Sequence, residues 1–330
     1  MDWGSILDNG GQAAFGPVAC YTALAAIGLN VQFGYTGLLN FGQAAFAAAG
    51  AYGIAVSVTT YGLSFWAGVS IGLIASIVLA VVLGFPTLRL RADYLAIVTI
   101  AASEMVRLVV RSVRYTSTLG GTDGLQGFTG RFFEISPLHG DDYKFWFWRY
   151  SRDDLWVMIV GWSIVALSCL VVFLLIRSPW GRVVKAIRED EDAVRSLGKN
   201  TYWYKMQSLM IGGLFGALSG MVFALSKHSV NPDDYATKFT FTALAVLILG
   251  GTARVLGPVV GAIIFTGALQ FIDVFTREAI KNGYLPSWLI DDSKVAIVRL
   301  IFVGLSLIVL MIFRPQGIFG DRREALIRDR

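Results

Sequence analysis

Charge is scarce in this sequence. Only 15% of its 330 residues are Asp, Glu, Lys or Arg, while 55% are hydrophobic, a balance that soluble domains of this length rarely show. Cysteine is nearly absent. Cys20 and Cys169 both sit inside apolar runs, which argues against a disulfide framework and for small packing residues. The two histidines, His139 and His228, lie far apart in polar stretches and offer no zinc site. There is no G-(x)4-G-K-[ST] phosphate loop, no HExxH, no paired CxxC and no nucleophile elbow. No catalytic residues, bound metal or cofactor are therefore expected. The start carries Asp2 and Asp8 instead of a basic n-region, so no cleavable signal peptide is expected. The net charge of +5 is no nucleic-acid signal, because Lys and Arg are scattered between apolar runs and form no stripe.

What the chain does have is apolar runs close to the length of a bilayer crossing. Lipid cannot satisfy backbone polar groups, so each run is expected to be a helix. The expected spans are Ala13–Phe33, Leu38–Thr59, Phe65–Phe85 (stopped by Pro86), Tyr94–Val110, Leu155–Ile176, Tyr204–Ser226, the short Thr240–Gly250, Val255–Asp273 and Val295–Phe313. Met1–Gln12 reads as a polar lead-in. The fold class is thus all-α, a polytopic transmembrane bundle of about nine spans (eight to ten) forming one domain over residues 1–330. A long loop over 111–154 holds the aromatic cluster Phe145-Trp146-Phe147-Trp148, a membrane-interface signature. Lys and Arg are in excess on the side that carries the 178–200 loop, Arg89, Arg91, Arg254 and the basic tail 314–330. That side is expected to be cytoplasmic and the 111–154 loop extracytoplasmic. The 36 glycines fit close helix packing. Two broken Gly-rich stretches, Gly34–Gly53 and Gly250–Gly267, recur in the two halves, the sequence pointer to inverted repeats around a central pathway.

Ser178–Asn200 is the longest hydrophilic, helix-compatible stretch between two apolar runs. Val183, Val184, Ile187, Val194 and Leu197 share one side of a helix bracketed by Gly181 and Gly198, while Arg182, Lys185, Arg188, Glu189, Asp190 and Asp192 stay wet. By itself this is either a solvated helical loop or a docking helix for a soluble partner. The pattern G-(x)4-A-I-R-E-(x)3-A-(x)4-G, met by Gly181, Ala186, Ile187, Arg188, Glu189, Ala193 and Gly198, resembles the cytoplasmic coupling loop of permease subunits of bacterial branched-chain amino acid ABC importers, in particular the LivM-like branch. GYTGLLNFGQAAFAAAGAY at Gly34–Tyr52 and LGGTDGL at Leu119–Leu125 resemble two further signatures of that family. The resemblance runs from about Gly34 to Pro258.

The resemblance implies a multi-pass subunit of the bacterial inner membrane that is not itself an enzyme. It implies a second permease of the same family, two cytoplasmic ATPases and an extracytoplasmic solute-binding protein as partners, with branched-chain or other hydrophobic amino acids as cargo. Similar permeases handle urea and short amides, which stand as the alternative cargo. The coupling residues would be Gly181, Arg182, Ala186, Ile187, Arg188, Glu189, Ala193 and Gly198.

Candidate pathway residues come from chemistry at membrane depth. Glu104 is an acidic group inside an early span. It is either functional, as the ion site of a self-contained secondary transporter, or a boundary partner of Arg107 and Arg111. Asn40 and Gln43 stand beside Gly37 and Gly42, either lining a pathway or bonding helices together. Thr122 and Asp123 follow Gly120-Gly121 in a turn that either closes over a zwitterion or is an ordinary loop. Lys227–Asp234 is either an ordinary solvated loop or a charged landing site for a soluble binding protein.

Overall fold

The computed structural model describes residues 3–90, 92–140, 142–145 and 148–281, with isolated positions 295, 301, 304, 305, 308, 312, 317 and 318. The expected last span and basic tail otherwise lie outside the described residues, as do Arg91, Trp146 and Phe147.

A polar-flanked first helix, α1 (Trp3–Phe15), precedes α2 (Pro17–Leu29). The expected lead-in is therefore helical, and the first span is divided at Gly16, where extended backbone sets Pro17 at the first turn of α2. One face of α1 lies on the later helix α13 (Gly257–Lys281), where Gly10 meets Phe271 and Gly267 meets Ala14. From Ala19 to Leu29 all but Tyr21 are buried, because α2 is the central rod of the bundle. Its regular winding gives way to a π-helical segment at Asn30–Tyr35, and residues 37–42 run without helix before α3 (Gln43–Thr59).

α4 (Phe65–Thr87) starts on a Ser64 cap, whose hydroxyl accepts from the Ala67 N–H at 3.3 Å. It does not stop at Pro86. It continues to Thr87, whose hydroxyl donates to Leu83 O at 2.6 Å in the last turn. Gly68, Gly72, Ser76, Ala80 and Gly84 recur every fourth residue and form a buried seam of small side chains. Ile71, Ile74, Val78, Val82 and Phe85 point outward. Small residues let backbones approach closely, and α3 uses the same device: Gly53 meets Gly72, and Gly68 meets Ile54.

α5 (Ala92–Arg111) follows. The long loop then contains the short helices α6 (Thr116–Leu119) and α7 (Gly130–Glu134) and the strands β1 (Leu125–Gln126), β2 (Asp142–Phe145) and β3 (Trp148–Ser151). β2 and β3 pair as a hairpin with Tyr143 opposite Tyr150, and Trp148 stacks on Phe15 with ring centroids 5.7 Å apart. α8 (Arg152–Arg177) leads into α9 (Pro179–Glu189) and α10 (Glu191–Ser196), then α11 (Thr201–Lys227). β4 (Ser229–Val230) pairs antiparallel with β1. α12 (Thr237–Gly250) and α13 close the described part, separated by the break at residues 251–256.

The chain is thus a helical bundle whose only strands among the described residues are two short ribbons in the loops. Five helical stretches are long and apolar enough to cross a membrane: Pro17–Tyr35, Phe65–Thr87, Arg152–Arg177, Thr201–Lys227 and Gly257–Lys281. Gln43–Thr59 and Thr237–Gly250 are shorter apolar helices. α9 and α10 lie at one end of the bundle, and the long loop with the β1–β4 ribbon lies at the other.

Candidate functional site

The stretch 178–200 is not one helix. Asp190 adopts extended backbone, and its Oδ1 accepts from the N–H groups of Asp192 and Ala193 at 3.0 Å each. It is an N-cap, followed by Glu191 and Asp192 in the first turn where anions are favoured. The single helix expected between Gly181 and Gly198 is therefore a hinged pair. Gly198 has φ +75, so the chain turns out of α10 there and leaves Leu197 80% exposed instead of packed beneath. Gly181, Val184, Ile187 and Val194 are buried, with Ala186 half-buried. Arg182, Arg188, Glu189, Ala193 and Gly198 are exposed. A Cβ on Gly181 would strike the last turn of α8, so this glycine sets the sharp corner between α8 and α9.

α9 and α10 are tied to the bundle at three points. Trp180 Nε1–H donates to Gln207 Oε1 at 2.8 Å. Glu191 pairs with Lys205, and with Thr201 and Arg195 at 3.0 Å each. Burial pushes the Glu191 carboxyl up, but the Lys205 ammonium together with Thr201 and Arg195 outweighs it and holds the carboxyl below the ordinary glutamate range. The third tie reaches the break itself. Arg188 Nη1 donates to Gly34 O at 2.6 Å, and its stem lies against Gly37, whose φ of +74 suits glycine.

From Gly34 the contacts continue inward. Asn30, one helical turn earlier, donates through Nδ2 to Arg254 O at 2.8 Å and accepts through Oδ1 from the Ala253 N–H at 2.9 Å. A side chain on Gly34 would collide with Asn30 Oδ1. The two broken stretches therefore meet at one buried amide. Irregular backbone at membrane depth persists only where protein or water satisfies it, and such π-segments concentrate at functional places. Gln32 extends the layer. Its Nε2 donates to Leu209 O at 3.2 Å, and its Oε1 accepts from Asn40 Nδ2 at 2.8 Å. Asn40 Oδ1 in turn accepts from the Gly42 N–H at 2.8 Å. Gln43 is fully buried and donates to Gly212 O at 3.1 Å, while its Oε1 has no partner among the described residues. Asn40 and Gln43 thus sit in an interhelical polar layer behind the surface.

Glu104 stands elsewhere, at the opposite end of the bundle. Its Oε1 accepts from the Thr237 N–H at 3.2 Å and the Thr237 hydroxyl at 2.6 Å, while Oε2 accepts from Arg107 Nε at 2.7 Å. Arg107 continues to Asp233 at 2.7 Å, which Arg111 also meets at 3.4 Å. The N-cap residue of α12, Ala236, has no side-chain acceptor, so Glu104 caps that helix from α5. Both carboxylate oxygens accept hydrogen bonds, so a helix cap and an ion pair account for a carboxylate at this position. Thr122 and Asp123 form an exposed turn between Gly120, Gly121 and Gly124, all at positive φ. Asn231 Nδ2 donates to Thr122 O at 3.4 Å, and Gly124 abuts the Val230 carbonyl. The five pathway candidates therefore occupy three separate places. Asn30, Gln32 and the Ala253–Arg254 backbone were missed by sequence reasoning. Two amides inside the first apolar run were the signal that could have found the first two.

The family model described as branched-chain amino acid transport system / permease component matches residues 17–312. A protein of Salmonella typhimurium named high-affinity branched-chain amino acid transport system permease protein LivM is 32% identical over 312 residues, covering 91% of this chain and 68% of that protein. Its namesake in Escherichia coli matches with the same identity and coverage. A probable branched-chain amino acid transport permease protein LivM of Methanocaldococcus jannaschii is 24% identical, over 91% of this chain and 90% of its own length.

Proposed function

Because the chain belongs to the family of permease components of branched-chain amino acid transport systems, we propose that it carries branched-chain amino acids across the bacterial inner membrane, driven by ATPases that dock on α9 and α10. It is a multi-pass membrane protein and one component of an ABC transport system. The partners this reading requires are a second permease of the same family, two cytoplasmic ATPases and an extracytoplasmic solute-binding protein. ATP hydrolysis belongs to the ATPases in this reading, and the chain's lack of a phosphate loop agrees with that.

The observation that carries the reading is the contact train from the α9–α10 pair through Arg188 and Gly34 to Asn30 and the 253–254 backbone. A soluble partner that pulls on α9 pulls on both breaks at once. Beside α10 lies a crevice of about 740 Å³, lined by Arg89, Glu191, Arg195, Tyr202 and Lys205 among others, into which a partner's loop can seat. Transport then follows from alternation between two arrangements of the breaks, each favoured by a different ligand state of the assembly. The ion-coupled alternative is the weaker reading, since the family is one of transport-system permease components and Glu104 already has a role as a cap and ion-pair partner. The coupling residues remain Gly181, Arg182, Ala186, Ile187, Arg188, Glu189, Ala193 and Gly198, with Leu197 added as the exposed apolar anchor.

Co-purification with the ATPases tests the reading. Leu197→Asp leaves the fold untouched, because the side chain is 80% exposed. It puts a charge where an apolar anchor is needed and should weaken ATPase capture by about tenfold or more. Arg188→Glu is the poorer probe, since Arg188 also holds Gly34. Capture unaffected by Leu197→Asp would remove α10 from the docking surface.

A further inference from the structure

The crevice beside α10 has one wall, at the end of α4, whose charge is unanswered. The carboxylates that line it are both taken: Glu191 by Lys205 and Arg195, and Asp192 by Arg195 at 3.3 Å. Arg89 lines the same crevice without such a partner. Among the described residues it meets no carboxylate and donates no hydrogen bond. Its guanidinium is nevertheless held in place. The Phe85 ring of α4 lies 5.5 Å from it and the Tyr202 ring of α11 lies 5.9 Å from it. Tyr202 is itself fixed, because its hydroxyl donates to Phe85 O at 3.3 Å, one of the carbonyls that a helix end leaves open. A guanidinium stacked on rings keeps its N–H groups at its edge, where they fit an oxyanion in a two-pronged contact. Arg177, at the end of α8, is the contrast, since it lies over the ring of Phe173 in its own helix.

The position of Arg89 says which oxyanion. Ile71, Ile74, Val78, Val82 and Phe85 are exposed, and Arg89 follows at the same three-and-four spacing, so it ends the outward stripe of α4. Only 28% of the apolar stretch of α4 is buried inside this chain, as suits a helix in contact with lipid. From Val78 to Arg89 is 11 residues, about 16 Å of helix, close to the roughly 15 Å of hydrocarbon in one leaflet. Trp66 at the far end of α4 and Trp203 beside Tyr202 are both exposed, the placement of aromatic side chains at the two membrane interfaces.

We propose that Arg89, held by Phe85 and Tyr202, binds the phosphodiester of an anionic phospholipid in the leaflet on the α9–α10 side, with an acyl chain lying along Phe85, Val82 and Val78. The head group is net anionic because Glu191 and Asp192 are already paired, so the crevice has no carboxylate to spare for a head-group ammonium. A carboxylate of a docked protein would also answer the charge, but the stripe that Arg89 ends leads into the bilayer. The lipid takes the α4 wall of the crevice and leaves the α10 wall to a protein partner. That this leaflet is the cytoplasmic one rests on the importer reading above, while the site itself does not.

Native mass spectrometry of the full-length chain in detergent, with whatever subunits it retains, tests this. The probe is dioleoylphosphatidylglycerol, with dioleoylphosphatidylcholine as the neutral lipid of equal chains. Wild type should retain phosphatidylglycerol in preference. Arg89→Gln should retain about fivefold less, the loss expected for one basic residue at an anionic surface. Arg89→Lys, which keeps the charge and loses the fork, should fall between. Arg114→Gln removes an exposed cation at the other end of the bundle and should match wild type. Glycerophosphoglycerol, the head group without chains, should not displace the lipid at equal concentration. Equal retention by wild type and Arg89→Gln, no preference over phosphatidylcholine, or the same loss in Arg114→Gln would overturn the proposal. Displacement by the chain-free head group would do so too, by making this a site for soluble phosphates. Loss of ATPase capture in Arg89→Gln with lipid retention unchanged would assign Arg89 to the protein partner instead. Lipid retention reads this site whatever the cargo is, whereas failure of the wild-type importer to take up any branched-chain amino acid would sink only the function proposed above.

Discussion

A carboxylate inside a membrane helix has to be compensated where it stands, and Glu104 shows how. In the sequence it had two readings, ion site or boundary partner of Arg107 and Arg111. The Arg107 pairing was legible from i,i+3 spacing. Thr237 was not, because it lies 133 residues away and becomes a neighbour only when α12 packs on α5. Glu191 is the counterpart at the end of the bundle that carries α9 and α10, and there the charge balance makes a pH prediction. Its carboxyl is held below the ordinary glutamate range, so ionised Glu191 adds stability to the α10–α11 contact that is fully present above about pH 4.3, where a free glutamate titrates. That stability is lost as pH falls through the depressed value. Protease cleavage within residues 189–200 should therefore be unchanged between neutral pH and about pH 5, and rise only in more acid solution. Glu191→Gln should be cleaved faster at neutral pH and lose the acid dependence. Equal cleavage of the two proteins at neutral pH would contradict this role.

Elements were legible where one physical signal dominated. Long apolar runs marked α4, α5, α8 and α11 to within a few residues. The breaks near Gly34–Gly42 and Gly250–Gly257 were visible as glycines and amides interrupting such runs. The hinge at Asp190 was hidden, because the apolar period continues across it and only the local competition of a carboxylate for N–H groups cuts the helix. α1 was hidden by its polar Asn9, Gly10, Gly11 and Gln12. Glycine packing shows which joints are unforgiving. A Cβ on Gly220 of α11 would run into the Ala47 carbonyl of α3, which is backbone and cannot move aside. Gly220→Ala should lower stability by about 1–3 kcal/mol or more despite alanine's better helix propensity, read as an earlier thermal unfolding midpoint in detergent. Gly130→Ala is the control. Nothing lies within 4 Å of its would-be Cβ, so it should stay within about 0.5 kcal/mol of wild type.

At the scale of the whole molecule, the two interrupted stretches are 220 or so residues apart in sequence yet share one side chain: Asn30 bonds across 223 residues to Ala253 and 224 to Arg254. No periodicity in a single sequence reveals such a partner, although the paired breaks were visible. The consequence is a separable prediction about coupling. The α9–α10 pair touches the first break through Arg188 and Gly34, and Asn30 joins that region to the second break. Asn30→Ala strips the Ala253 N–H and Arg254 carbonyl of their partner inside the bundle, at a cost of about 1–3 kcal/mol for each buried group left unsatisfied. Docking is unaffected, since the outer surface of α9 and α10 does not change. In proteoliposomes holding both permeases, the ATPases and the binding protein, the variant should retain its ATPases and hydrolyse ATP while leucine uptake per assembled complex falls about tenfold. A residue that merely stabilised the bundle would lower the amount of assembled complex and leave uptake per complex intact. That outcome would show that the two breaks move independently and that force from α9 reaches the second by another route.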